Sequence, residues 1–130
     1  MKKGAERVSR QGWLLLLGAI LCNAGANVSM KAGMAGRSAV LDQGVGAVLW
    51  TVVSNPWVVL GFALFGATFV LYSAVLARLE LSVAYPIMTG GGFLLILLAS
   101  VALLQEPLTL PRVLGMLSIA VGISAVSIQR

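Results

Sequence analysis

Histidine is absent from the 130 residues, and cysteine occurs once, as Cys22. That excludes an internal disulfide and leaves no cluster of soft ligands for a metal. Acid is almost as scarce. The carboxylates are Glu6, Asp42, Glu80 and Glu106, all near the ends of long apolar runs or between them. A small helical membrane protein that exchanges protons for organic cations needs a carboxylate inside the bilayer to hold each in turn. The apolar runs hold no such group. Charged residues are 10% of the chain, against about 25% in an ordinary soluble domain.

What is present is apolar. Hydrophobic residues make up 59% of the chain and mean hydropathy is +1.00. A helix needs ~20 mainly apolar residues to cross ~30 Å of hydrocarbon. Four runs qualify, at about 13–34, 57–78, 81–104 and 110–128, and they predict an all-α bundle of four transmembrane helices in one domain. They leave no room for a soluble catalytic domain, and no catalytic pairing of side chains is available, so an enzyme is not expected. The second, third and fourth runs are joined by very short links and must be antiparallel neighbours. The first link, 35–56, is longer. Its segment 40–53 is apolar but holds Asp42, Gln43, Gly44 and Gly46. It reads as a helix lying at the interface or as an early extension of the second span. Asn55-Pro56 marks a break before that span.

The net charge is +5, but it does not indicate nucleic acid. Lys2, Lys3, Arg7 and Arg10 precede the first run, where they would retain the N-terminus in the cytoplasm. With Arg78 and Arg130 they place six cations inside, against Lys31, Arg37 and Arg112 outside. Both termini are therefore expected in the cytoplasm, with one orientation rather than two. A secretory signal is a rival for the first run. The run is too long for one, is interrupted by Asn23 and Asn27, and lacks a clear cleavage pattern, so it reads as retained.

Asn23, Asn27 and Lys31 recur every four residues and share one helix face. Cys22, Gly25, Ala26, Ser29 and Gly33 give a small-residue surface beside it. The stripe has two readings. Its amides bond to neighbouring helices, at about 0.6 kcal/mol each or somewhat more, while Lys31 reaches the headgroups. Alternatively the stripe lines a polar cavity with Lys31 at its mouth, attracting an anion. The third run carries Tyr85-Pro86 and then Thr89-Gly90-Gly91-Gly92. Each glycine weakens a helix by ~1 kcal/mol relative to alanine. Pro86 and the glycines mark a close helix contact, a hinge that opens the cavity to each side in turn, or both, since a bending helix also needs close neighbours. Gly115, Ser118 and Gly122 form one face of the fourth run, the pattern of a close helix–helix approach, read here as a dimer contact. Glu106 and Arg112 are placed to pair at the surface, and Trp13, Trp50 and Trp57 suit interfacial anchoring.

These residues together resemble a known family. Gly18-Ala19-Ile20-Leu21, Asn23 and Met30-Lys31 are similar to the first helix of small multidrug resistance transporters. Leu81-Ser82-Val83-Ala84-Tyr85-Pro86-Ile87, the Gly90/Gly92 pair, and Gly115-Met116-Leu117 through Gly122 resemble their third and fourth helices. Glu106-Pro107-Leu108 is similar to the wider drug/metabolite transporter superfamily. The resemblance implies a dimer of four-helix subunits with alternating access in a bacterial inner membrane. It also implies that Tyr85 and Met88 belong to the substrate site, with Met88 at a position that is usually aromatic. In cation-exporting members a helix 1 glutamate binds proton and drug, and that position aligns with Asn23. An amide does not titrate.

One branch of the family lacks that glutamate. It resembles the paired subunits that flip undecaprenyl-phosphate-linked aminoarabinose, sharing the Ser-Val-Ala-Tyr-Pro run, the Glu-Pro and a longer first link before Asn-Pro-Trp. The expected function is therefore translocation of a lipid-linked sugar or polyprenyl phosphate, by a homodimer or by a heterodimer with a related subunit. Asn23, Asn27, Lys31, Tyr85, Met88 and, more weakly, Arg112 would bind substrate. The tail would stay in membrane lipid, through a lateral gap beside the second span. No cofactor and no metal are expected. The rival functions are a small exporter of organic cations and a non-transporting partner subunit.

Overall fold

The computed structural model describes residues 2–128, with side chains at 10–40 and 42–125. Five α-helices follow one another: α1 (Lys2–Met34), α2 (Val45–Ser54), α3 (Pro56–Leu76), α4 (Leu81–Leu104) and α5 (Leu110–Ile128). No strand occurs among the described residues. Among the described residues three stretches are long and apolar enough to cross a membrane: Arg10–Met34 within α1, Pro56–Leu76 and Leu81–Leu104. α2 and the stretch Leu110–Ala125 of α5 are apolar but shorter.

α1 begins at Lys2, earlier than the position 13 at which hydropathy starts its run, because a basic segment continues a helix without adding apolar signal. The segment expected as one element over 40–53 is two. A 3₁₀ turn, Ser38–Gln43, is separated from α2 by Gly44 at φ +92°, a conformation that favours glycine. α3 starts at Pro56 because Asn55 caps it. The Asn55 Oδ1 accepts from the Trp57 N–H at 3.0 Å, and Pro56 occupies the first turn, where a missing N–H is harmless. α3 ends at Leu76, two residues short of the run expected from hydropathy. α4 continues through Pro86, and Thr89 donates its hydroxyl to the Tyr85 carbonyl at 2.8 Å. It ends at Gln105, which takes the left-handed conformation at φ 55°.

α1 packs between α3 and α4, and α5 rests on α4. At one end of the bundle the core joins Leu16 and Ile20 of α1, Val75 and Leu79 at the end of α3, and Ala84 of α4. At the other end glycines set the spacing. A Cβ on Gly61 would lie 2.5 Å from Met30 Cγ and 3.1 Å from the Ala26 carbonyl oxygen. Asn55 locks this end, since its Nδ2 donates to the Gly33 carbonyl at 2.7 Å while its Oδ1 caps α3. One buried amide thus joins the last turn of α1 to the first turn of α3. Large apolar side chains such as Leu14, Leu21, Phe62, Phe69, Leu98 and Leu103 point outward. That is the surface of a bundle solvated by lipid, where backbone groups bond within helices and side chains need no burial.

Candidate functional site

Polar groups of three elements meet at the Lys31 end of the bundle. Asn27 and Lys31 come from α1, Ser100 from α4 and Glu106 from the link between α4 and α5. They line a cleft of about 270 Å³ whose remaining walls are Val28, Ile96 and Leu104. The helical period brings Asn27 and Lys31 to the α4 side of α1. Asn27 Nδ2 donates to the Asn23 carbonyl at 2.8 Å, so its amide is bonded within its own helix. Asn23 lies one turn deeper, half-buried, with its Nδ2 3.0 Å from where a Cβ on Gly92 would stand.

Lys31 lines the cleft and has a carboxylate partner there. Its Nζ lies 3.3 Å from Glu106 Oε1. The other carboxylate oxygen of Glu106 accepts the Ser100 hydroxyl at 2.6 Å and lies 4.0 Å from Arg112 Nη1. The expected Glu106–Arg112 pair is therefore present, but as the longer of two. Ser100 has a second role, because its carbonyl receives the backbone N–H groups of Gln105 and Glu106 as α4 unwinds. The left-handed turn at Gln105 points Glu106 back toward α1. The Ser100 hydroxyl, then Lys31, then the charge of Arg112 hold the Glu106 carboxyl below the usual carboxylate range. The cluster carries two cations against one carboxylate. It stays open to solvent, with the Lys31 side chain 61% and the Glu106 side chain 31% exposed.

Tyr85 and Met88 lie nearer the opposite end of α4. Met88 packs against the core formed by Leu16, Ile20 and Val75. Tyr85 is exposed and borders apolar hollows along α4. Neither lines the cleft that holds Lys31. The three glycines are contact points. A side chain on Gly90 would overlap Ile123, one on Gly91 would meet Ile20 at 3.0 Å, and one on Gly92 would meet Asn23. α4 is one continuous helix across them. A Cβ added at Gly115 or at Gly122 would meet nothing within 4 Å, and Ser118 is exposed with its hydroxyl bonded to the Leu114 carbonyl. That face of α5 is open in the single subunit.

Two residues of the cleft were not foreseen as a site. Ser100 is the one hydroxyl in the second half of α4, and Glu106 follows it by six positions. The signal available was a polar residue opposite the Asn–Asn–Lys stripe. Tyr72 was also missed. Its hydroxyl is buried with no hydrogen-bond partner among the described residues. Groups of histidine, cysteine and carboxylate able to hold a metal are absent among the described residues.

Comparison with known proteins bears on the same elements. The family model described as small multidrug resistance protein matches residues 49–119, which covers α3, α4 and part of α5 but not α1. The chain is also 38% identical over 69 residues to an uncharacterized protein, y4nH, of Sinorhizobium fredii; the match covers 53% of this chain and 59% of that relative. The chain thus spans somewhat over half the length of this curated relative. No solved structure matches. A family match over more than half of the chain, on an all-helical protein with three membrane-crossing stretches, leads to one conclusion: this multi-pass membrane protein belongs to the small multidrug resistance family of transporters.

Proposed function

We propose that the protein translocates an amphiphile with an anionic headgroup, of the lipid-linked sugar or polyprenyl-phosphate class, across the inner membrane. α5 serves as a fourth span, both termini lie in the cytoplasm, and two subunits assemble through the open face of Gly115, Ser118 and Gly122. The observation that carries this reading is the polar cleft itself. The ion-pair cluster at its Glu106 wall sets two cations, Lys31 and Arg112, against one carboxylate, and the three spanning stretches contain no acid. Asn23, deeper on the same α1 face, is neutral at every pH. A phosphate would compete with Glu106 for Lys31, and both make charge-assisted contacts of similar strength. Those stretches contain no carboxylate or histidine to carry proton coupling, so cargo moves down a gradient maintained by enzymes on either side.

The test is flipping of a labelled undecaprenyl-phosphate-linked lipid in reconstituted vesicles. Lys31→Ala lowers the rate by about tenfold or more, the worth of one charge-assisted contact, while helicity in detergent is retained. An unchanged rate removes Lys31 from the site.

A second reading, export of small organic cations, is favoured by the family match and by the partly exposed Glu106 carboxylate in the cleft. Direct binding of a quaternary ammonium compound to the wild-type chain, weakening steeply as pH falls, would favour it over the first.

A further inference from the structure

Three hollows line up along one side of α4. The first lies beneath Arg112 and Glu106 and reaches down to Phe93. The second, of about 360 Å³, shares Phe93 with the first, passes Gly90, and is walled by Ile119 and Ile123 of α5. The third shares Tyr85 and Pro86 with the second and reaches Leu81. Because neighbours share wall residues, the three adjoin and trace a line of hollows, a groove that follows the seam between α4 and α5 and continues along α4. Gly90 matters here, since any side chain on it would run into Ile123 and alter the seam. The register of α5 matches: positions 112, 119 and 123 are seven and four apart and fall on one helix face. Arg112 therefore stands on the face that forms the groove, at its charged end.

The groove is long. From Ser100 to Leu81 α4 rises about 28 Å, close to the ~30 Å thickness of the hydrocarbon layer and about twice the depth of one leaflet. An ordinary acyl chain occupies one leaflet. A polyprenyl chain is long enough to follow the whole groove. A tail leaving lipid for an apolar groove gains no hydrophobic free energy, because both surroundings are apolar. Selection must then come from shape along the groove and from charge at its end. Arg112 supplies the charge. Its side chain is half-exposed, and its contacts with Glu106 and the Pro107 carbonyl both use Nη1, out of five N–H donors on a guanidinium. Planar donors of this kind hold phosphate in two places at once.

We infer that Arg112 joins Lys31, the other cation paired with Glu106, in binding the phosphate of a polyprenyl-phosphate cargo and that the α4–α5 groove below Arg112 seats the tail. This deepens the proposed function and rests on it. It places the tail along α4 and α5 rather than beside α3.

The experiment measures binding to the full chain in detergent by native mass spectrometry, with three probes: undecaprenyl phosphate, undecaprenol and dodecyl phosphate. The wild type binds undecaprenyl phosphate at least about tenfold more tightly than either of the others, since each lacks one of the two recognised parts. Arg112→Gln weakens that binding by about tenfold or more and leaves undecaprenol unchanged. Ile119→Trp, which fills the groove, removes most of the preference for the long tail over the short one. Should that variant lose helicity, Thr89→Phe at an exposed position fills the same hollow. If undecaprenyl phosphate binds and neither Arg112→Gln nor the fillers change it, the groove assignment is overturned while the cargo reading stands. If the wild type binds neither phosphate, both are overturned. A second copy of the chain is the competing occupant. Thr89→Cys in a Cys22→Ser background would then form disulfide-linked dimers at the same rate with and without undecaprenyl phosphate, which would also overturn the assignment; protection by the lipid supports it.

Discussion

Glu106 gathers more of the polar chemistry of this chain than any other side chain. It accepts from Ser100, pairs with Lys31 and lies near Arg112, and these partners lower its pKa. A carboxyl whose folded pKa is depressed contributes stability above its unfolded value and loses that contribution as pH falls through the folded one. The expected outcome is a wild-type chain whose unfolding midpoint in detergent drops as pH falls below about 4, the ordinary carboxylate value. Glu106→Gln lacks that part of the pH dependence, and equal profiles for the two would show that the pair contributes nothing. Little of this residue-scale arrangement was legible in the sequence. Lys31 and Glu106 lie on separate elements far apart in the chain, and no periodicity relates them. The sequence pattern suggested Arg112 as the partner of Glu106 because it is near in sequence. The reversal at Gln105, a non-glycine residue at positive φ, turns the carboxylate toward α1 as well, so that Lys31 becomes its nearer partner.

Among the elements, α1 and α3 form the tightest pair, and glycines set how close they come. A valine at Gly61 would press against the Ala26 carbonyl, a backbone atom that moves only if α1 moves. Gly61→Val is expected to cost about 1–3 kcal/mol, the usual range for overpacking a filled interior. Gly66 lies on the same helix with nothing within 4 Å of an added Cβ, so Gly66→Val leaves the unfolding midpoint near that of the wild type. Denaturant titration in detergent compares the two; equal losses would remove close packing as the cause. The long apolar runs made the helices themselves legible, because hydropathy over some twenty residues has few other meanings. The extension of α1 to Lys2 was not legible, since charged residues at helical spacing look the same in a helix or a tail. The glycines of α4 left hinge and close contact open. Their neighbours, Ile123, Ile20 and Asn23, show contact on all three.

For the molecule as a whole, the family and the position of Asn23 pull in different directions. The family match lies over residues 49–119 and leaves out α1, the helix that carries Asn23 and Lys31. Asn23→Glu places a carboxylate beside Gly92, and the expected outcome is binding of a quaternary ammonium compound that the wild type lacks and that weakens as pH falls, measured by titration calorimetry in detergent. No gain would show that the rest of the bundle no longer accommodates a cation. Membrane class and helical fold were readable from composition together with the length of the apolar runs. The cargo was not, because it depends on contacts between helices and on surfaces that the sequence orders only in part.

The amide of Asn55 also has a consequence for the stretch between Met34 and Pro56. By tying Gly33 to the cap of α3 it closes that stretch into a loop whose two feet are fixed to each other. Lengthening such a loop costs only about 0.6 kcal/mol per doubling. Gly44, in open space with nothing within 4 Å, is its natural splice point. A peptide tag inserted there should leave the bundle intact, and antibody access to it in sealed cells would report on which side of the membrane that loop emerges.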